Sequence, residues 1–414
     1  MRPHLGADGA LPPALPMGTA DAAYHRAMRG RPLPLSLTFD FGGRPPTLDA
    51  VRARVAERAD RIPALRYRII RDRKLLLRVD RLGLEQHVHE AWLPDDADGS
   101  VASRLMLSMP MSAGDRPPWE VWLIHGPTGR YTLGYRTDHT LQDGVGAVHT
   151  VRALLDDDPK GGGLVPQRRS WPTAKGLAGA FGDVAAALRP PGVQPAFQVP
   201  GSGRTSVCHT ATPLARLRAV GRAYGGTVND VYLAALSHAV HAWHMKETGS
   251  LHPPLPVAVP MSVRAPGEEY APGNRMVTAR LLLPCDEPSP HRALARVMAD
   301  TGRLRRTRQR DAIRLLMAAT PRAIGARIGM RMVNSEVIGA PTSSVNFGGP
   351  LVHRGAASRR SAAFADLAAG IRCLTTLTSQ HDTACLTVVH DDALPTADEL
   401  PDLWLAALLE LERA

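Results

Sequence analysis

The chain of 414 residues is poor in cysteine: it has four, Cys208, Cys285, Cys373 and Cys385, and no two of them form a C-x-x-C pair. That spacing argues against a disulfide framework and against a cysteine-held zinc site, and predicts reduced thiols in or near the core. Lysine is as scarce, at four of the 50 basic residues; the arginine bias, together with the alanine richness, fits a GC-rich genome. Aromatic residues are only 5% and no recognised nucleic-acid module is present, so the net charge of +11 does not make the chain a nucleic-acid binder. No run approaches the roughly 18 apolar residues of a transmembrane helix. The opening MRPHLGADGALPPALP lacks the apolar core of a signal peptide. The expected location is the cytoplasm, with at most peripheral contact at the inner membrane surface.

What is present is 44% hydrophobic residues, enough at this length for two domains with substantial cores. The most informative stretch is YTLGYRTDHTLQDGV, Tyr131 to Val145. Tyr131, Leu133 and Tyr135 alternate as in a half-buried strand. Val145, Val148, Val151, Leu154 and Leu155 recur at helical spacing, which predicts a helix from Gly144 to about Asp156. His139 then falls in the strand-to-helix loop, where a side chain can face a cleft. An imidazole titrates near neutrality, so it can take a proton from a hydroxyl or amine that attacks a thioester. Asp143 lies close enough to orient either the imidazole or an arginine that fixes the loop; it is also a favoured residue for capping the next helix. Gly144 removes a side chain where the backbone turns. H-x-x-x-D-G therefore reads as an acyl-transfer site.

At DRPPWE, residues 115 to 120, the chain resembles the bacterial wax ester synthase / diacylglycerol acyltransferase family. The likeness continues in order: LPMGTADAAYHRA near 15 to 27, LTFDFGGRPPTLDAVRARVAERADRIPALRYRI, GGTVNDVYLAAL at 225 to 236, PVAVPMSVRAP at 256 to 266, APGNRM at 271 to 276 and VNFGGP at 345 to 350. The resemblance implies the coenzyme A-dependent acyltransferase and condensation-domain superfamily. Its fold is α/β, with mixed sheets in two chloramphenicol-acetyltransferase-like halves that form a V-shaped pseudo-dimer around a central tunnel. It also implies His139 as the general base with Asp143 and Gly144 beside it, no bound cofactor, and acyl-CoA or an acyl carrier protein thioester as co-substrate. Asp138, Trp119, Arg264, Asn274 and Asn346 are the expected substrate-binding residues. Two departures stand out. Asp138 replaces the family's first histidine, placing a carboxylate beside the base where it would favour the protonated ring. VNFGGP keeps Asn346, Gly349 and Pro350 of the more usual S-N-V-P-G-P.

The punctuation suggests an N-terminal acyltransferase half over 1–158, a Pro/Gly-rich crossover over 159–204 with a short helix at Ala174 to Leu188, and a C-terminal half over 205–414. In that second half we expect a helix over 227–244, strands at 255–259 and near 276–284, helices through 291–333, strands near 343–347 and 384–390, and a last helix over about 397–412. Thr227 and Asp230 read as a capping box variant. Arg264 can line the tunnel or pair with an acid across the domain interface; Asn274 can serve a turn or the reacting carbonyl. The histidines at 238, 241 and 244 read as helix surface residues, and the basic run Arg303 to Arg314 as a solvated helix face rather than a docking surface.

Three readings of function follow. The first is acyl transfer from a thioester to a hydroxyl of a small-molecule or lipid acceptor. The second keeps the chemistry with an amine acceptor, giving an amide. The third is a catalytically silent binding member. The basicity suits the phosphates of coenzyme A, an acidic carrier protein or anionic headgroups.

Overall fold

The computed structural model describes residues 11–95, 100–111, 116–127, 129–159, 169–189, 196–332 and 339–413. Asp115 and parts of the crossover, 160–168 and 190–195, lie outside them. In chain order the elements are β1 (Ala14–Pro16), α1 (Thr19–Ala27), β2 (Pro34–Gly42), α2 (Leu48–Arg58), β3 (Tyr67–Ile70), β4 (Leu75–Arg78), β5 (Val88–Trp92), α3 (Val101–Ser108), β6 (Trp119–His125), β7 (Arg130–Asp138) and α4 (Gly144–Leu155). There follow α5 (Ala174–Leu188), β8 (Thr205–Pro213), α6 (Leu214–Tyr224), α7 (Val228–Thr248), β9 (Leu255–Ser262), β10 (Met276–Leu283), α8 (Pro290–Arg306), α9 (Gln309–Ala319) and α10 (Arg322–Met332). The chain ends with β11 (Ala340–Gly348), β12 (Val352–His353), β13 (Ala356–Ala357), β14 (Arg360–Ala365), β15 (Cys373–Gln380), β16 (Thr383–Asp391) and α11 (Leu400–Glu412).

Two compact units share these elements, and they are not contiguous in sequence. The first gathers residues 1–168, 264–276 and 346–366; the second gathers 169–263, 277–345 and 367–414. In the first unit a five-stranded mixed sheet runs β14-β2-β7-β6-β5, with β5 and β6 parallel and the other neighbours antiparallel. The central strands are buried on both faces although one face is largely polar: β7 is buried from Tyr131 to Asp138, Arg136 and Thr137 included. A smaller sheet, β1-β4-β3, lies near α1 in sequence. The second unit holds a six-stranded mixed sheet, β10-β9-β11-β15-β16-β8, in which β9 and β11 are parallel.

The second unit's core is built around α7, whose Val231, Leu233, Leu236, Val240 and Trp243 are all buried. A helix that is apolar nearly all round belongs inside, which corrects the surface reading of its histidines. His241 and His244 are buried, His241 Nδ1 lies 2.9 Å from the Cys285 carbonyl, and His244 meets His252 edge to face. Thr227 and Asp230 form a reciprocal capping box at the helix start, and Asp230 also accepts from Thr301 Oγ1 at 2.6 Å. The basic run is divided between α8 and α9, where Arg305 pairs with Asp230 and both Arg310 and Arg314 pair with Asp311. Cys285, Cys373 and Cys385 are buried and all four cysteines are free. Among the described residues, no helix is long and apolar enough to cross a membrane.

Candidate functional site

Residues of three segments of the first unit meet at the end of β7: α1, the loop 138–146, and the segment 264–276. From Tyr131 to Asp143 every residue is buried except His139, which is half-buried. The backbone holds it there. His139 N donates to the Leu33 carbonyl at 2.8 Å, and Leu141 N closes a tight turn onto the Asp138 carbonyl at 2.8 Å. The imidazole stacks on Tyr24 of α1, with ring centroids 4.3 Å apart.

The ring's Nδ1 edge faces Asn274, whose Oδ1 is 3.1 Å away. Asn274 is itself fixed on three sides. Its Nδ2 donates to the His139 carbonyl at 2.7 Å and to Asp21 Oδ1 at 2.8 Å, and its backbone N–H reaches the same Asp21 oxygen at 2.7 Å. Asp21 Oδ2 accepts from Gly18 N at 2.7 Å, capping α1. Burial raises the Asp21 carboxyl above the usual carboxylate range, while the N–H groups of Asn274 and Gly18 act in the other direction. Gly273 makes this approach possible. Its φ is +82° and an added Cβ would sit 2.8 Å from Asp21 Oδ2, so no other residue fits without strain. Its N–H donates to the Leu141 carbonyl at 2.6 Å.

Asp143 does not bond the imidazole. It is the N-cap of α4, with Oδ1 accepting from Gly146 N at 2.7 Å, while Oδ2 takes Arg264 Nη2 at 2.8 Å and Arg275 N at 2.7 Å. Burial alone would raise its carboxyl; Arg264 and the two backbone N–H groups hold it below the usual range. Arg264, itself buried, also donates to the carbonyls of Glu268, Ala271 and Gly273. It is a staple between two backbone segments of the first unit, and the acid it pairs with, Asp143, belongs to that same unit rather than lying across a domain interface. Gly144 is not among the left-handed glycines. The glycine that packing demands is Gly146, whose Cβ would lie 2.7 Å from the Arg264 guanidinium. Burial and the neighbouring Arg264 lower the basicity of His149, one turn further along α4. Among the described residues no three His, Cys, Asp or Glu side chains are grouped to hold a metal.

Residues 34–182 match the model of the wax ester synthase/diacylglycerol acyltransferase catalytic domain. The matched segment, about a third of the chain, is similar to that family's catalytic domain. A probable diacylglycerol O-acyltransferase of Mycobacterium tuberculosis is 26% identical over 247 residues, 51% of this chain and 54% of that protein. The chain thus spans about half the length of the curated relatives it matches. The solved wax ester synthase/diacylglycerol acyltransferase of Marinobacter aquaeolei superposes with a TM-score of 0.66 at 21% identity, covering 96% of this chain and 99% of that one. The starter condensation domain of rhizomide synthetase, solved in complex with C8-CoA, gives a TM-score of 0.63 at 15% identity and covers 97% and 95%. At these identities the likeness establishes a shared fold.

Against the wax ester synthase/diacylglycerol acyltransferase pattern, the remaining sequence-derived positions divide sharply. Asp138 is buried, with one oxygen on Arg71 and the other accepting from Thr140 N at 2.8 Å. Successive residues at a strand end project to opposite sides, and the carboxylate answers Arg71. Trp119 lies wholly in the core, stacked on His87 at 4.1 Å with its indole N–H on the Leu65 carbonyl at 3.0 Å, and so offers no surface to a ligand. Asn346 is exposed and accepts from Gly348 N at 2.8 Å, closing a turn. Asp21 and Tyr24 are not singled out by sequence reasoning. Their signal was the opening block that contains them, but no spacing rule ties a residue of α1 to one 250 positions away.

Proposed function

We propose that this protein moves an acyl group from an acyl thioester, free as acyl-CoA or held on a carrier protein, to a hydroxyl acceptor, releasing an ester, with His139 as general base. The observation that carries this reading is the isolation of His139: it is the one half-open side chain in a buried run of thirteen residues, 131–143. A group held in that way, on a rigid strand end, keeps its geometry while it reacts. With Nδ1 turned toward Asn274, the Nε2 edge is the one left for a substrate. Nε2 takes the acceptor's O–H proton as the oxygen attacks the thioester carbonyl. The C–S bond then breaks, and the imidazolium returns the proton to the departing thiolate. Positioned proton transfer of this kind is worth about a hundred- to ten-thousand-fold in rate. The match to the family's catalytic domain over 34–182 supports acyl transfer, and the coenzyme A complex of the condensation-domain neighbour supports a thioester donor.

The test is to incubate the protein and a His139→Ala variant with acyl-CoA of several chain lengths and a panel of alcohols and amines, following thiol release and products by mass spectrometry. Esters formed by the wild type and lost in the variant are the expected outcome. Amides would redirect the reading to an amine acceptor, and equal activity in both proteins would remove His139 from the mechanism.

A further inference from the structure

Beyond the assignment of His139 as the base, on which this inference rests, the structure raises the question of what fixes its protons. A neutral imidazole carries one N–H, on Nδ1 or on Nε2, and only the Nδ1–H form leaves Nε2 free to accept a proton. In many sites the carboxylate of the motif would decide between them, but Asp143 is wholly occupied by Gly146, Arg275 and Arg264. The decision falls to Asn274, and Asn274 cannot make it alone: an amide that flipped by half a turn would present N–H to the ring and force the opposite tautomer.

We propose that Asp21 is the positioning residue of this site, acting through Asn274 to hold His139 in its Nδ1–H tautomer. The argument is one of donors and acceptors. On one side of the Asn274 amide lie two groups, Asp21 Oδ1 at 2.8 Å and the His139 carbonyl at 2.7 Å. Both only accept when Asp21 is ionised. Both therefore require the NH₂ end, and the amide oxygen is left facing His139 Nδ1 at 3.1 Å. An oxygen there must be met by a ring N–H. Asp21 is itself locked, because the Asn274 backbone N–H shares its Oδ1 while Gly18 N takes Oδ2. Every contact in this chain of three residues is between groups that are buried or half-buried, where an unpaired donor or acceptor costs most. Tyr24 adds the ring's rotation, since the stacked phenol holds the imidazole plane in place.

Asp21→Asn is the discriminating change. It keeps size and hydrogen-bonding capacity, yet one of its ends must now donate, either against Gly18 N or against the Asn274 NH₂ group. The asymmetry that sets the amide then rests on the His139 carbonyl alone. Two readouts apply. In protein labelled with 15N-histidine, with the His139→Ala spectrum used to assign the resonance, the wild-type ring is expected to show Nδ1–H and Asp21→Asn a mixture or Nε2–H. In steady-state kinetics with acyl-CoA and an alcohol, Asp21→Asn is expected to lower kcat about ten- to a hundred-fold with KM within about two-fold, as befits a group that never touches substrate. A wild-type ring protonated on Nε2 overturns the inference whatever the variants do, even if Asp21→Asn does not fold. Unchanged kcat in a folded Asp21→Asn variant overturns it as well. Failure of the base assignment itself looks different, because His139→Ala would then remain active while the tautomer result stood.

Discussion

Asp143 gives the clearest example of a motif side chain that matters without facing the reacting atoms. Its two oxygens take two backbone N–H groups and one guanidinium in a buried setting. Removing one member of such a pair leaves the other charge buried and unanswered, at about 3–5 kcal/mol. Arg264→Met is therefore expected to lower the unfolding free energy by about that amount, read by denaturant titration. Adding Asp143→Asn to it should cost less than the sum of the two single changes. Strict additivity would mean the contact carries no coupling. Gly146→Ala is expected to destabilise through the same pair, because the new methyl occupies the place of the Arg264 guanidinium. A similar change at Gly182, which has open space around it, should not. Thermal unfolding of the two variants side by side makes the comparison.

Helices and strands carry their own chemistry. His87 and His252 are both buried, and burial pushes each down to about 4. Unfolded, each would titrate near 6.5, so between about pH 4 and pH 6.5 the unfolded chain binds more protons than the folded one. Their contribution is complete above pH 6.5 and is lost as pH falls toward 4, with a slope of up to about 1.4 kcal/mol per unit for each. Denaturation series from pH 4 to 7 should show this slope, and His87→Asn should flatten it; an unchanged slope would mean the site does not exclude protons. At the start of α7, Thr227→Ala is expected to cost about 1 kcal/mol by losing the capping box, seen as a shift in the denaturation midpoint at unchanged slope.

These same elements show what could be read in advance. Strand β7, the start of α4, the ends of α5 and most of α7 follow from periodicity, because apolar spacing and Asp or Thr caps act locally. Strand β14, RSAAFA, gives no such signal. Its residues are small, its pattern is uniform, and its place at the sheet edge beside β2 depends on partners more than 300 positions away. Helix α6 escapes for a different reason: it is short, and its apolar stripe rests on little more than Leu214, Leu217 and Val220. At the site, His139 and Asp143 were legible because they share one loop. Asp21 was not, since only the folded chain brings it to Asn274.

The whole molecule is assembled from two units whose chain segments interleave. A fragment ending at 168 would keep β7, His139 and Asp143 yet lack Arg264, Gly273, Asn274 and the edge strand β14. Such a fragment is expected to expose the β2 edge and leave Asp143 without its guanidinium. Hydrogen exchange should then show fast exchange along β2 and at Gly146, whereas the 414-residue chain is expected to protect both. Slow exchange at those amides in the fragment would mean that the sheet and loop stand without the later segments.

The return of 264–276 to the first unit also bears on synthesis. A ribosome releases the histidine loop long before it has read Asn274, so the buried acid of that loop must wait through some 120 further residues for its partner, an interval of order ten seconds or so at common elongation rates. During that interval the loop is a carboxylate without a counter-charge, best left in water. The site thus cannot be finished early by its own half of the message. Slowing translation between these two segments should lengthen the time during which the emerging chain depends on chaperones.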